Sequence, residues 1–187
     1  MSRAVFFYRN IRTKQVLVCP SATVMSATSL ISTQITNPVL RPKVIRPDHW
    51  TPLVVASGFD SQKAHANLFM LAAQPGHPLT PKTSEDIRQY KLLARRNKLI
   101  ADMDMVESQV AQLARSLVYI DSLASKAVPQ EEVSKIKLFW EDSEWIKKVE
   151  AAGLYWPKWI EHDSLEMKRG NIVLNQELRN VVTMASA

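Results

Sequence analysis

An α+β fold follows from three observations on the chain. Two segments near the start, Val5-Phe6-Phe7-Tyr8 and Val16-Leu17-Val18, are strand-like and apolar throughout. From Thr83 to Val128 neither Gly nor Pro occurs, while apolar residues recur at helical spacing. Four of the five tryptophans, Trp140, Trp145, Trp156 and Trp159, crowd into a short stretch of the tail. Together these predict three parts. Residues 1–78 form a small N-terminal α/β unit ordered strand, strand, helix, strand, helix. Residues 79–128 form a long charged helix, and residues 129–187 a Trp-rich, mostly helical tail.

The first two strands carry apolar residues on both faces, so cover from two sides is expected. Asn10-Ile11-Arg12-Thr13-Lys14 joins them as a short donor-rich loop, giving a hairpin. Residues 21–36 are rich in Ser and Thr, with Val24, Met25, Leu30, Ile31 and Ile35 as apolar positions. Hydroxyl and β-branched side chains penalise helix, so a weak helix or irregular segment is expected there. Residues 37–52 hold Pro38, Pro42, Pro47 and Pro52, interleaved with Arg41, Lys43 and Arg46. Proline fixes φ and removes a donor, which predicts an extended surface segment. Residues 53–56 read as the third strand. Asp60 or Ser61 then caps a helix to about Ala73, with Ala64, Leu68, Leu71 and Ala72 facing inward. Residues 74–78, rich in Gly and Pro, break the chain.

Thr83-Ser84-Glu85-Asp86 reads as a helix start. Leu99, Met103, Val106, Val110, Leu113, Leu117, Ile120 and Ala124 follow an alternating 4-3 spacing, a seam for packing on a helix or sheet. A helix of ~40 residues would span roughly 60 Å, and a bend near Asn97 would shorten it. In the tail, residues 136–140 read as a short strand. Ser143 opens a helix that Gly153 closes, and residues 171–184 read as a last amphipathic helix carrying Ile172, Leu174, Leu178 and Val181.

Charge divides the chain. The first acidic residue is Asp48, and Arg3, Arg9, Arg12, Lys14, Arg41, Lys43 and Arg46 precede it. Residues 1–100 hold 14 Lys+Arg against 4 Asp+Glu, a net of +10; the other 87 residues hold 10 against 14, a net of −4. A one-sided cationic half favours nucleic acid or an anionic membrane. Any one of these side chains alone would read as a solvated surface charge; the acid-free set is the signal. Arg12 and Lys14 lie at the hairpin tip, and Arg41, Lys43 and Arg46 on the proline-stiffened segment. Lys82, Arg88, Lys91, Arg95, Arg96 and Lys98 open the long helix. With Arg9, these are the expected RNA-binding residues. Arginine grips phosphate bidentately and stacks on bases, so contacts would go mainly to phosphate and sugar and weaken with salt.

Other chemistries find little footing. No apolar run approaches the ~18 residues of a membrane span. Cys19 is the single cysteine, which excludes an internal disulfide and favours a reducing compartment. With only 4 glycines, no glycine-rich phosphate loop is present. His49, His65, His77 and His162 lack metal-ligand spacing. Glu161-His162-Asp163-Ser164 contains the residue types of a hydrolase triad, but adjacency is not triad geometry, and the top of a helix is expected there. Glu141-Asp142 reads as a helix start, where acids suit the dipole. A strand-first nuclease would need Tyr8, an arginine and a metal-binding glutamate, and no Glu precedes Glu85. No catalysis, cofactor, metal or small-molecule substrate is therefore expected. The tryptophans sit in the net-acidic part, which favours packing over base stacking.

Residues 5–17, an aromatic strand running into Arg9-Asn10, a polar turn and Gln15-Val16, resemble the opening of a fungal family named for transcriptional regulation of mitochondrial recombination. Its members also serve as a fungus-specific protein of the mitochondrial ribosomal large subunit. Arg46-Pro47-Asp48-His49-Trp50, Trp140-Glu141-Asp142 and Gly170-Asn171-Ile172 extend the resemblance, which covers roughly residues 4–73 and 136–180. One departure is that residues 68–80 carry no Lys or Arg, the basic run being displaced to 82–98. The resemblance implies a structural constituent of the mitochondrial ribosome, holding ribosomal RNA with its front and neighbouring ribosomal proteins with its rear. It also implies, as the second reading, a DNA-pairing or transcription-associated factor. The acid-free, Ser/Thr-rich start has the composition of a mitochondrial presequence. Its strand-like opening suggests import to the matrix without loss of a long leader, or a chain already mature.

Overall fold

Consecutive aromatic and β-branched residues make β1 (Ala4–Asn10) and β2 (Val16–Cys19) into strands that are buried on both faces. The structure, a computed structural model, describes residues 3–20, 22, 29–124, 135–168 and 172–179. β1 pairs antiparallel with β2 and with β3 (Trp50–Ser57). β3 pairs antiparallel with β4 (Ile136–Trp140), and β4 runs parallel to β5 (Ile160–Ser164). The resulting order is β2-β1-β3-β4-β5, so the tail supplies two strands to a sheet begun by the front.

Alternation sends Val5, Phe7, Val18, Val54, Leu138 and Trp140 to one face. There they meet α2 (Gln62–Ala72), α5 (Val106–Ala124) and α6 (Glu144–Ala151). Ala4, Phe6, Tyr8, Leu17, Val55 and Phe139 go to the other face, under Ile35, Ile45, Leu165 and Leu178. Each large side chain so buried contributes about 1.5–3 kcal/mol. The expected cover from two sides is therefore met by three helices on one face and, on the other, by irregular chain with the short helical pieces at 31–34 and 176–179. Ser61 caps α2 as expected, its side chain accepting from the Ala64 amide. Within the Ser/Thr-rich segment a 3-10 turn at 29–30 leads into α1 (Ile31–Gln34), and residues 21 and 23–28 lie outside the described set. Its Gln34 turns inward: the Val18 amide donates to Oε1 and Nε2 donates to the Val18 carbonyl, both at 2.8 Å.

The long helix is three. α3 (Ser84–Leu92) stops at Leu93, α4 (Arg95–Met103) stops at Asp104, and α5 follows. Neither break is at Asn97, which lies inside α4. Tertiary bonds override local propensity here. At the second break the Met105 amide donates to the Lys14 carbonyl instead of to the preceding turn. At the first, Lys98 Nζ donates to the Lys91 carbonyl at 2.9 Å, satisfying one of the orphan groups of the α3 end. Of the seam, Val106, Val110, Leu113 and Leu117 are buried, while Leu99 and Met103 on α4 are only half-buried.

The tail also departs from a mostly helical reading. Besides α6 it holds β4, β5 and the small pair β6 (Met167–Lys168) and β7 (Ile172–Val173). Residues 161–164 belong to β5 rather than to a helix top. Of the helix expected over 171–184, residues 172–173 form β7 instead, 174–175 are irregular and only 176–179 are helical; 171 and 180–184 lie outside the described residues. Gly153, at φ +80°, ends α6 as expected. The tryptophans pack inward. Trp140 is buried, and its Nε1 donates to His162 Nδ1 at 3.0 Å. Trp156 stands edge-on to Trp140 and to His162 at 5.6 and 5.1 Å. Trp159 Nε1 donates to Asp121 at 2.7 Å.

Two predictions follow from these contacts. Gly76 lets the 74–78 break lie against α5, because a Cβ there would come within 2.0 Å of the Ser108 carbonyl oxygen. Gly76→Ala should cost about 1–3 kcal/mol in urea unfolding, the range of overpacking in a closed contact. His162 is the second case. Desolvation holds its pKa below the ordinary imidazole value, and its Nδ1 must be unprotonated to accept from Trp140. A pKa lower in the folded than in the unfolded chain gives stability that is complete above the unfolded value of about 6.5 and lost as pH falls beneath it. The melting temperature should therefore drop between pH 7.5 and 5, and less so in His162→Gln.

Candidate nucleic-acid interface

The loop between β1 and β2 organises the cationic surface. The Asn10 side chain accepts from the amides of Arg12 and Thr13 at 2.9 and 3.1 Å, closing an Asx turn. Lys14 completes the reversal at φ +57°, a left-handed conformation that non-glycine residues adopt at a cost. Four attachments then radiate from this loop. The Ile11 amide donates to the His49 carbonyl at 2.9 Å. The buried Gln15 side chain donates to the Leu40 carbonyl at 2.6 Å. The Lys14 carbonyl accepts from Met105 at 3.1 Å, and the Lys14 ammonium faces Asp104 at 3.4 Å. α4 meanwhile packs on the 3-10 turn Pro38–Leu40. Hairpin loop, proline-rich segment and α4, remote in sequence, are thereby assembled around one point.

Within that assembly the expected residues divide into two groups. Arg9 reaches across β3 to grip Glu141 with both oxygens, at 2.8 and 2.9 Å. Arg41 donates to the carbonyls of Ile35, Ser32 and Thr36 at 2.8, 3.1 and 3.1 Å, tying off the end of α1. Arg46 pairs with Asp48 at 3.3 Å, and Lys14 with Asp104. Lys82 and Lys98 lie over the Tyr90 ring at 5.4 and 5.9 Å. The Tyr90 hydroxyl donates to Asp102 at 2.9 Å, which pushes its pKa up. These six cations are engaged within the fold.

Arg12, Lys43, Arg88, Lys91, Arg95 and Arg96 are exposed, and none has a carboxylate partner among the described residues. Two of the few acids of the front are occupied locally. Asp86 accepts from the Thr83 amide and hydroxyl in a capping box that lowers its pKa, and Asp48 faces Arg46 and His49. What remains is a set of exposed guanidinium and ammonium groups on a scaffold held by backbone hydrogen bonds and by the engaged cations. Sequence reading missed the apolar side chains among them. Val39, Val44, Leu92 and Ile100 are all half or more exposed; none belongs to the 4-3 seam, and no spacing signal singles them out.

Residues 2–72 match the family model Mhr1, described as transcriptional regulation of mitochondrial recombination. The matched segment is under half of the 187 residues and runs from β1 through α2. It contains the organising loop, Arg12 and Lys43, and ends before α3 and α4. No curated protein matches the chain. The resemblance at 136–180 lies outside the matched segment, although β4 from that stretch is hydrogen-bonded to β3 inside it.

The chemistry open to other groups on the scaffold is limited by burial. Tyr8 stacks on Phe6 at 5.9 Å and donates its hydroxyl to the Ala22 carbonyl, and burial raises its pKa. Cys19 is buried, and its thiol is pushed up to about 12. Among the described residues no group of three or more His, Cys, Asp or Glu is placed to hold a metal ion. The division of the cations yields a prediction. The Arg9–Glu141 pair is half-shielded, with side chains 31% and 25% exposed. A double-mutant cycle with Arg9→Gln and Glu141→Gln should return a coupling of about 1 kcal/mol. Arg9→Gln should leave nucleic-acid affinity within twofold of the original.

Proposed function

We propose that this chain is a non-catalytic nucleic-acid-binding protein of the mitochondrial matrix. The observation that carries the reading is the exposed set Arg12, Lys43, Arg88, Lys91, Arg95 and Arg96, without carboxylate partners among the described residues, with Arg12, Lys43, Arg95 and Arg96 on segments assembled around one hairpin loop. Mobile phosphates would be gathered by side chains already held at the surface, so binding needs little rearrangement of the backbone. The matched family's description favours DNA as the polymer, in recombination or transcription. A second reading is a structural constituent of the large subunit of the mitochondrial ribosome, bound to ribosomal RNA and to neighbouring ribosomal proteins. The apolar side chains set among the free cations favour it, since a subunit of a ribonucleoprotein meets phosphate and protein on one surface.

Fluorescence anisotropy with labelled DNA, competed by ribosomal RNA at physiological salt, separates the two. Preference for DNA over an equal mass of ribosomal RNA selects the first. Preference for ribosomal RNA, with co-sedimentation of the protein in the large-subunit fraction, selects the second. Absence of binding to either at low salt defeats the proposal. Substituting Arg88, Arg95 and Arg96 by Gln should weaken binding to all sequences alike. The slope of log affinity against log salt should fall by about 1 for each phosphate contact removed.

A further inference from the structure

α3 and α4 bury none of their residues, which is unusual for helices that carry apolar side chains. At the corner between them stands Lys91-Leu92-Leu93-Ala94-Arg95-Arg96. Leu92 is 80% exposed and Leu93 36%, and Ile87 and Ile100 are also open to solvent. Both corner residues, Leu93 and Ala94, have extended backbone, with ψ of 143° and 151°. The corner is held in shape by Lys98 bonding the Lys91 carbonyl and by Tyr90 bonding Asp102. The acids of these two helices, Glu85, Asp86 and Asp102, sit away from the corner in sequence, and Asp86 and Asp102 are bonded to Thr83 and Tyr90. What the corner presents is a leucine pair flanked by Lys91, Arg95 and Arg96, none of them ion-paired among the described residues.

Phosphodiester backbone can use those three cations but gains nothing from covering leucine. An anionic lipid surface uses both, because head groups pair with the cations while apolar side chains enter the acyl boundary. We propose that the α3–α4 corner is a peripheral binding site for anionic phospholipid bilayers, with Leu92 and Leu93 as the inserting residues and Lys91, Arg95 and Arg96 as the head-group contacts. The site goes beyond the nucleic-acid reading and shares Lys91, Arg95 and Arg96 with it. No helix among the described residues is long and apolar enough to cross a membrane, so the association would be superficial and reversible.

The test is co-sedimentation of the full chain with vesicles of phosphatidylcholine alone and of phosphatidylcholine with 30% phosphatidylglycerol (roughly the charge density at which polybasic segments adsorb). DNA binding is measured on the same proteins by anisotropy. The original chain should bind the anionic vesicles at least tenfold better than the neutral ones. Leu92→Ser with Leu93→Ser, a change at exposed positions that keeps every charge, should lower vesicle partition at least tenfold and leave DNA affinity within twofold. Arg95→Gln with Arg96→Gln should weaken both. Three results overturn the proposal: no binding to anionic vesicles; vesicle binding unchanged by the serine pair, which would be adsorption of a cationic protein only; or parallel loss of DNA affinity in the serine pair, which would assign the leucines to the nucleic-acid surface. Because the leucine variants retain the cations, failure here leaves the nucleic-acid reading to be judged by its own anisotropy.

Discussion

The burial of β1 and β3 from both sides is the constraint on which the architecture rests. A strand with one polar face can border solvent; Ala4 to Tyr8 and Leu53 to Ala56 cannot, because each leaves almost nothing accessible. Two covering layers are then obligatory. α2, α5 and α6 supply one. The other is assembled from segments with weak intrinsic structure, around Ile35, Ile45, Leu165 and Leu178. The tail must also lend β4 and β5, since β3 would otherwise end as an exposed apolar edge. Front and rear therefore share one sheet although their surfaces differ in charge.

That sharing gives the cationic surface its foundation. Lys14 turns the hairpin, receives the amide that starts α5, and faces the acid that ends α4. One loop thus sets the positions of the proline-rich segment and of α4 at once. Arg9, Arg41 and Arg46 spend their charge on the fold itself, while the groups further out keep theirs. The proposed electrostatic recognition would rest on a scaffold whose internal cations are neutralised first. Otherwise repulsion among so many like charges would oppose compaction.

How much of this could be read from residues alone depended on whether the deciding force was local. The strands, the Ser61 cap and the Gly153 stop were readable, because periodicity, side-chain capping and positive φ act within a few residues. The breaks after Leu92 and Met103 were not. The second turns on the bond from Met105 to Lys14, some ninety positions away, and the first is fixed by Lys98 folding back on the Lys91 carbonyl, neither of which spacing announces. β5 was missed for the same reason: Glu161-His162-Asp163 alternates too weakly to announce a strand and is held by pairing with β4. Among the candidate site residues, type and exposure were readable for Arg12, Lys43 and the α3–α4 cations. The partners of Arg9 and Arg41 were not, since no spacing rule links position 9 to 141 or a guanidinium to three carbonyls.

Gln34 has a consequence of a different kind. Its amide meets the peptide group of Val18 as a neighbouring strand would, one donor to one acceptor in each direction. The outer border of the sheet is thus occupied at its middle by a side chain that cannot itself propagate a ladder. An apolar edge such as Val16-Leu17-Val18 is a template for cross-β stacking, and one carboxamide occupies it at Val18.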